Sequence, residues 1–84
     1  MTKDEVFDRV RSEMRELFDI DPSTIKPETQ LIGELGLDSI DAIDLAARME
    51  ELTKQRMTEE GLRKLRTVQD VVDLIFEMLR TDRS

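Results

Sequence analysis

Leu35-Gly36-Leu37-Asp38-Ser39-Ile40-Asp41-Ala42-Ile43-Asp44-Leu45-Ala46-Ala47-Arg48-Met49 joins a glycine-bearing loop to a helix that is apolar on two sides. Gly36 interrupts the helical periodicity. Asp38 stands where an N-cap side chain accepts from free N–H groups, and Asp41 puts a carboxylate in the first turn, where the helix dipole favours negative charge. The pattern predicts a helix that begins after Gly36-Leu37 and runs to about residue 53, where Thr53-Lys54-Gln55 ends it. At about 100° per residue, Ala42, Leu45, Ala46, Met49 and Leu52 share one wide stripe, the expected core face. Ile40, Ile43 and Ala47 form a second strip with Asp44 and Glu51 beside it and Asp41 further round. That strip has two readings. It packs against another element, with Ile43 pointing into a cavity, or it is a partly exposed apolar surface rimmed by carboxylates that docks a basic partner transiently. Arg48 lies on the acidic side, either paired with Asp44 along the helix or tuning which partners are accepted.

On the N-terminal side, Thr2 and Glu5 form a capping-box pattern, followed by Val6, Phe7, Val10, Met14, Leu17 and Phe18 at three- and four-residue spacing. A helix over residues 3–18 is expected, with Asp8, Arg9, Arg11, Glu13, Arg15 and Glu16 on its solvated face. Pro22 and Pro27 break periodicity, so residues 19–37 read as a long loop. Its apolar residues Ile20, Ile25, Leu31, Ile32, Leu35 and Leu37 argue that it packs over the helices rather than floating as a linker. On the C-terminal side, Thr58 to Lys64 suits a short helix weakened by Gly61. Thr67 and Asp70 start a last helix whose stripe is Val68, Val71, Val72, Ile75, Met78 and Leu79. The expected fold is all-α: an antiparallel bundle of three main helices plus one short helix.

The chain has 84 residues, 38% hydrophobic and 39% charged, with three Phe and neither Trp nor Tyr, which suits one small domain with an aliphatic core. Without Cys or His there is no disulfide, no thiolate metal site and no histidine base, so self-contained acyl-transfer chemistry is disfavoured and no catalytic residue is assigned. The net charge of −7 opposes nucleic acid and anionic membrane and favours partners rich in Lys or Arg. The acidity is densest in the 38–51 segment, the front of the second helix, where only Arg48 opposes Asp38, Asp41, Asp44, Glu50 and Glu51. No apolar run approaches the roughly 20 residues that span a bilayer, and the N-terminus shows no signal-peptide core; a cytoplasmic monomer is expected. Gly33 and Gly36 lack the context of a phosphate-binding loop, and the spacing of Asp38, Asp41 and Asp44 differs from that of a calcium loop, so no resident metal is assigned.

Ser39 alone says little, since a serine at a helix start is more often structural. With no histidine to activate it, it reads as a substrate for modification by another protein. Leu35-Gly36-Leu37-Asp38-Ser39-Ile40-Asp41, however, resembles the modification motif of the acyl carrier protein family. The helix-one pattern, the 25–31 loop, the acidic second helix and the Thr67-Val68-Gln69-Asp70 start extend the resemblance over nearly the whole chain, read as a single carrier domain over 1–84 with a frayed end near 81–84. The resemblance implies covalent 4'-phosphopantetheine on Ser39, transferred from coenzyme A by a holo-synthase or another phosphopantetheinyl transferase. Asp38 would help place Mg2+ in that modification complex only. It implies a non-catalytic carrier that presents acyl thioesters to an acyltransferase, ketosynthase, reductase or dehydratase in fatty-acid, polyketide or specialised lipid biosynthesis. Ile40, Asp41, Asp44, Ala47, Glu50 and Glu51 match the partner-recognition helix, and Ile43, Ala46, Leu62 and Val71 fall near the cavity of carriers that sequester their cargo. Ile40, Ala47, Arg48 and the basic Lys64-Leu65-Arg66 run depart from common fatty-acid carriers, and Asp41-Ala42-Ile43-Asp44-Leu45 is similar to specialised bacterial carriers. Two alternatives remain at this point: a peptidyl or aminoacyl carrier, and a helical interaction domain that makes no use of Ser39.

Overall fold

A computed structural model describes residues 2–81. Helix α1, Lys3–Phe18, begins on the expected capping box: the Glu5 N–H donates to Thr2 Oγ1 at 3.2 Å and the Thr2 N–H donates to Glu5 Oε1 at 2.8 Å. It ends at Asp19, which adopts a left-handed conformation (φ 57°) and donates its N–H to the Arg15 carbonyl. Its inner face buries Val6, Val10 and Met14 and half-buries Phe7, Leu17 and Phe18.

Helix α2 is Ser39–Thr53, α3 is Glu59–Arg63 and α4 is Val68–Thr81. Among the described residues no strand is formed. Helix α4 packs most extensively against α1, and α2 leans on both, so the three long helices enclose a core of aliphatic and methionine side chains. Val68, Val71, Val72 and Ile75 line the α4 side of that core, with Met78 and Leu79 half-buried at its far end. The start of α4 is doubly tied: the Asp70 carboxylate accepts the N–H groups of Arg66 (3.0 Å) and Thr67 (3.1 Å), while the Asp70 N–H donates to Thr67 Oγ1 (3.3 Å). Those backbone donors hold the Asp70 carboxyl below its ordinary pKa.

The loop between α1 and α2 contains one 3₁₀ turn, Pro22–Thr24, capped by the Asp21 side chain. Beyond it the chain is laced to the start of α4. The Leu31 N–H donates to the Arg66 carbonyl at 2.9 Å, the Val68 N–H to Thr29 at 3.0 Å and the Gln69 N–H to Pro27 at 2.8 Å, around a single antiparallel bridge between Gln30 and Thr67. Ile25, Leu31 and Leu37 are buried and Ile20 and Leu35 half-buried, as the linker argument required. Ile32 instead points outward, 74% exposed. Gly36 takes a left-handed conformation (φ 69°), which an L side chain adopts only with strain, and so turns the loop into the α2 cap.

Two expectations are corrected. Glu13, placed by helical arithmetic on the solvated face of α1, is 8% exposed, because the flank of α2 covers it and two guanidinium groups neutralise it there. Ala42, placed in the core stripe of α2, is exposed, because a groove opens beside the first turn where packing was expected. The expected fraying of the C-terminus falls, beyond Thr81, outside the described residues.

Candidate functional site

The front of α2 is set by a reciprocal cap between two aspartates. The Asp41 N–H donates to Asp38 Oδ1 at 2.9 Å, and the Asp38 N–H returns to Asp41 Oδ2 at 3.2 Å. Asp38 is in the extended conformation of an N-cap, so Ser39 is the first helical residue. The consequence is chemical as well as structural. Because a carboxylate does the capping, the Ser39 hydroxyl takes no part in it and stands exposed at the helix start.

Ser39 and Asp38 share the wall of a groove of about 680 Å³ that runs between α2, α3, the start of α4 and the loop before α2. The four residues that resemblance placed near a cavity, Ile43, Ala46, Leu62 and Val71, all line it. Met49 forms its floor from α2, with Met57 and Leu65 contributed by the segments flanking α3. Those last two were missed by sequence reasoning, although an apolar residue on each side of a short polar helix is the signal that would have found them. Arg63 was also missed; it is the one basic residue in the wall.

The outer strip of α2 is displayed rather than packed. Ile40 is 69% exposed and Ile43 63%, with Asp44, Ala47 and Glu51 exposed beside them. Ile43 thus belongs both to the surface strip and to the groove wall. The six residues matched to the recognition helix do not behave alike. Asp41 is half-buried with its carboxylate engaged in the cap. Glu50 is half-buried, and its Oε2 accepts the Met57 N–H at 2.7 Å, tying α2 to the segment that leads into α3. Ile40, Asp44, Ala47 and Glu51 remain as the open face.

Arg48 does not pair with Asp44. Its Nη1 reaches across to Glu13 Oε2 at 3.0 Å and Glu16 Oε2 at 3.5 Å on α1, while Arg9 Nε meets Glu13 Oε1 at 3.3 Å. A carboxylate buried without partners would be costly, so this network satisfies Glu13 and locks α1 to α2. It also draws the positive charge of α2 toward α1, which leaves the Asp44 and Glu51 side more acidic than the linear sequence suggests.

The residues present fit a phosphopantetheine arm. Attachment needs a hydroxyl that is exposed and not committed to the fold, and an attached apolar chain needs an apolar recess within reach; Ser39 and the adjoining groove supply both. Among the described residues no group of three or more carboxylates is placed to hold a metal ion, and no helix is long and apolar enough to cross a membrane.

Residues 8–75 match the family model described as the phosphopantetheine attachment site. The chain is 44% identical over 79 residues to "Acyl carrier protein 2" of Ralstonia nicotianae, covering 94% of this chain and 98% of that protein. It is 33% identical over 78 residues to the acyl carrier protein of Thermotoga maritima, covering 93% and 96% respectively. A crystal structure of acyl carrier protein from Thermotoga maritima superposes with a TM-score of 0.83 at 28% identity, covering 94% of this chain and 92% of that one. With this helical fold, an exposed serine at the start of its second helix and near full-length similarity to such carriers, the chain belongs to the acyl carrier protein family, whose covalently attached group is 4'-phosphopantetheine.

Proposed function

We propose that Ser39 is the attachment residue and that residues 1–84 act as one carrier unit that catalyses nothing itself. The observation that carries this reading is the exposed Ser39 hydroxyl, excused from capping by Asp38 and opening onto an apolar groove. When bound, the phosphopantetheine arm supplies a terminal thiol that holds the acyl group as a thioester. The protein's own residues orient and shelter. Asp38 fixes the backbone of Ser39 through the cap and offers a carboxylate beside it that would help place Mg2+ during modification by a holo-synthase. Ile43, Ala46, Leu62 and Val71 form the wall against which an acyl chain is removed from water.

Ile40, Asp44, Ala47 and Glu51 form the face that meets the enzymes in turn: an acyltransferase, ketosynthase, reductase or dehydratase with a basic docking surface. A small apolar strip limits affinity while the carboxylates speed encounter, which suits a carrier that must leave each partner. Asp41 and Glu50 support this face from beneath, through their backbone hydrogen bonds. The net charge of −7, which opposes nucleic-acid phosphate, supports a carrier with no nucleic-acid role, and we read the chain as a cytoplasmic monomer.

The test is coexpression with a holo-synthase, read by intact-mass spectrometry. A gain of one phosphopantetheine is expected, and the holo form is expected to accept acyl groups from an acyl-transferring enzyme. An unchanged mass with a synthase active on another carrier overturns the proposal. Loading by amino-acid-adenylating enzymes alone would assign the cargo to the aminoacyl class.

A further inference from the structure

Met57, Leu62 and Leu65, the apolar part of one groove wall, come from α3 and the segments beside it, and none of the described residues of α3 is buried. A wall with so little core of its own has low local stability and stands where its ends are held. At the far end, the Arg66 carbonyl accepts the Leu31 N–H at 2.9 Å and the Arg66 N–H donates to the Asp70 carboxylate at 3.0 Å. Between the ends, the Leu62 N–H donates to the Thr58 carbonyl at 3.1 Å and the Leu65 N–H to the Leu62 carbonyl at 3.2 Å, bonds that stay within the segment. At the near end, Gln55 Nε2 donates to the Met78 carbonyl of α4, which fixes the loop after α2 but stops two residues short of the wall. Met57 is the first wall residue, and its N–H donates to Glu50 Oε2 at 2.7 Å. Both residues are half-buried, and a bond to an ionised acceptor partly withdrawn from water is stronger than a neutral one. Glu50 stands in the last turn of α2, next to Met49 of the groove floor, so this bond joins the helix that forms the floor to the segment that begins the wall.

We infer that Glu50 is a positioning residue for the cargo groove: by accepting the Met57 N–H it holds the α3 wall against α2 and so sets how well an apolar acyl chain is sheltered. The inference rests on the attachment at Ser39 proposed above. Glu50 then acts inward on the cargo, through Met57, rather than outward as a charge that a partner enzyme reads.

The wild type, Glu50→Gln, Glu50→Ala and Thr2→Ala are each loaded by a phosphopantetheinyl transferase with acetyl-coenzyme A or octanoyl-coenzyme A. Gln keeps an oxygen that accepts the Met57 N–H and removes the charge; Ala removes both. Thr2→Ala takes away the α1 cap and so weakens the fold without touching the groove wall. Intact mass reports loading first, so a wild-type chain that never takes the arm overturns the carrier reading, and this inference with it, separately from the steps that follow. The rates at which hydroxylamine cleaves the two thioesters are then compared, with acetyl, which offers almost no apolar chain to bury, as the reference. Glu50→Ala is expected to raise the octanoyl rate relative to the acetyl rate by about two- to tenfold, the weight of one hydrogen bond. Glu50→Gln should restore most of the wild-type ratio, and Thr2→Ala should leave it alone. The inference is wrong if the wild type does not shelter octanoyl relative to acetyl, if Glu50→Ala leaves the ratio unchanged, or if Glu50→Gln or Thr2→Ala shifts it as far as Glu50→Ala does. Should Glu50→Ala fail to fold, amide exchange of Met57 in the wild type decides together with Glu50→Gln. Slow exchange with a wild-type ratio in Glu50→Gln supports the latch, whereas exchange as fast as that of an exposed amide, or a Glu50→Gln ratio raised twofold or more, overturns it.

Discussion

At the scale of single residues, Asp38 and Ser39 divide the work of one helix start. Asp38 holds the backbone by accepting the Asp41 N–H, and Ser39 is left free to carry a substituent. Their substitutions should therefore separate. Asp38→Ala is expected to lower stability by about 1 kcal/mol, the usual loss of a helix cap, in a denaturant titration. An unchanged midpoint would mean that the cap contributes nothing. Ser39→Ala changes no capping bond and should leave the midpoint in place. The Asp38 role was legible because a cap is local, and the four residues 38–41 contain both partners. The places of Arg48, Glu13 and Glu50 were not legible for the complementary reason. Glu13 and Arg48 lie 35 positions apart and meet only when α1 packs on α2, and Glu50 bonds a backbone N–H in the following loop. Helical arithmetic assigns a side chain to a face but does not say what covers that face.

At the scale of elements, the helix boundaries were readable because each start carries its own chemistry: Thr2 with Glu5, Asp38 with Asp41, and Thr67 with Asp70. The lacing of residues 27–31 onto the start of α4 was not, since it is made of backbone bonds that leave no side-chain signature. Leu45 joins α2 to the core at 4% exposure, so Leu45→Ala should cost about 2–5 kcal/mol. Thermal melting that shows no loss would place Leu45 outside the core. The start of α4 predicts a pH dependence. Backbone hydrogen bonds from Arg66 and Thr67 lower the Asp70 pKa in the folded chain, so its contribution is fully present above the ordinary carboxylate value of about 4 and is lost as pH falls through the lowered value. The stability difference between the wild type and Asp70→Asn should thus be constant near neutrality and shrink in acid. A difference that does not vary with pH would contradict the ionised cap.

At the scale of the whole molecule, charge and shape are arranged around one groove. Asp38 of the acidic α2 face and Arg63 of α3 both line it, within a chain of net charge −7. The acidity was legible in composition, and the α2 strip in periodicity, but whether the strip was packed or displayed needed the neighbouring elements; the exposure of Ile40 and Ile43 decides for display. Asp44 lies exposed beside that strip and holds no part of the core. Asp44→Lys should slow association of the holo form with a basic cognate enzyme while leaving the helical signal intact. The gap between the two rates should close as salt approaches about 1 M, where screening shortens to about 3 Å. Equal rates at low salt would remove Asp44 from the steering face.

The central claim is that Ser39, and no other hydroxyl, bears the arm. After modification by a holo-synthase, trypsin should release residues 16–48 as one peptide, because Lys26 is followed by Pro27, and that peptide contains Ser23 and Ser39. Fragmentation should place the entire mass gain on Ser39, and Ser39→Ala should gain no mass while keeping its helical signal and melting point. A mass gain placed on Ser23 or on any other residue, or a folded Ser39→Ala protein that is still modified, would contradict the account.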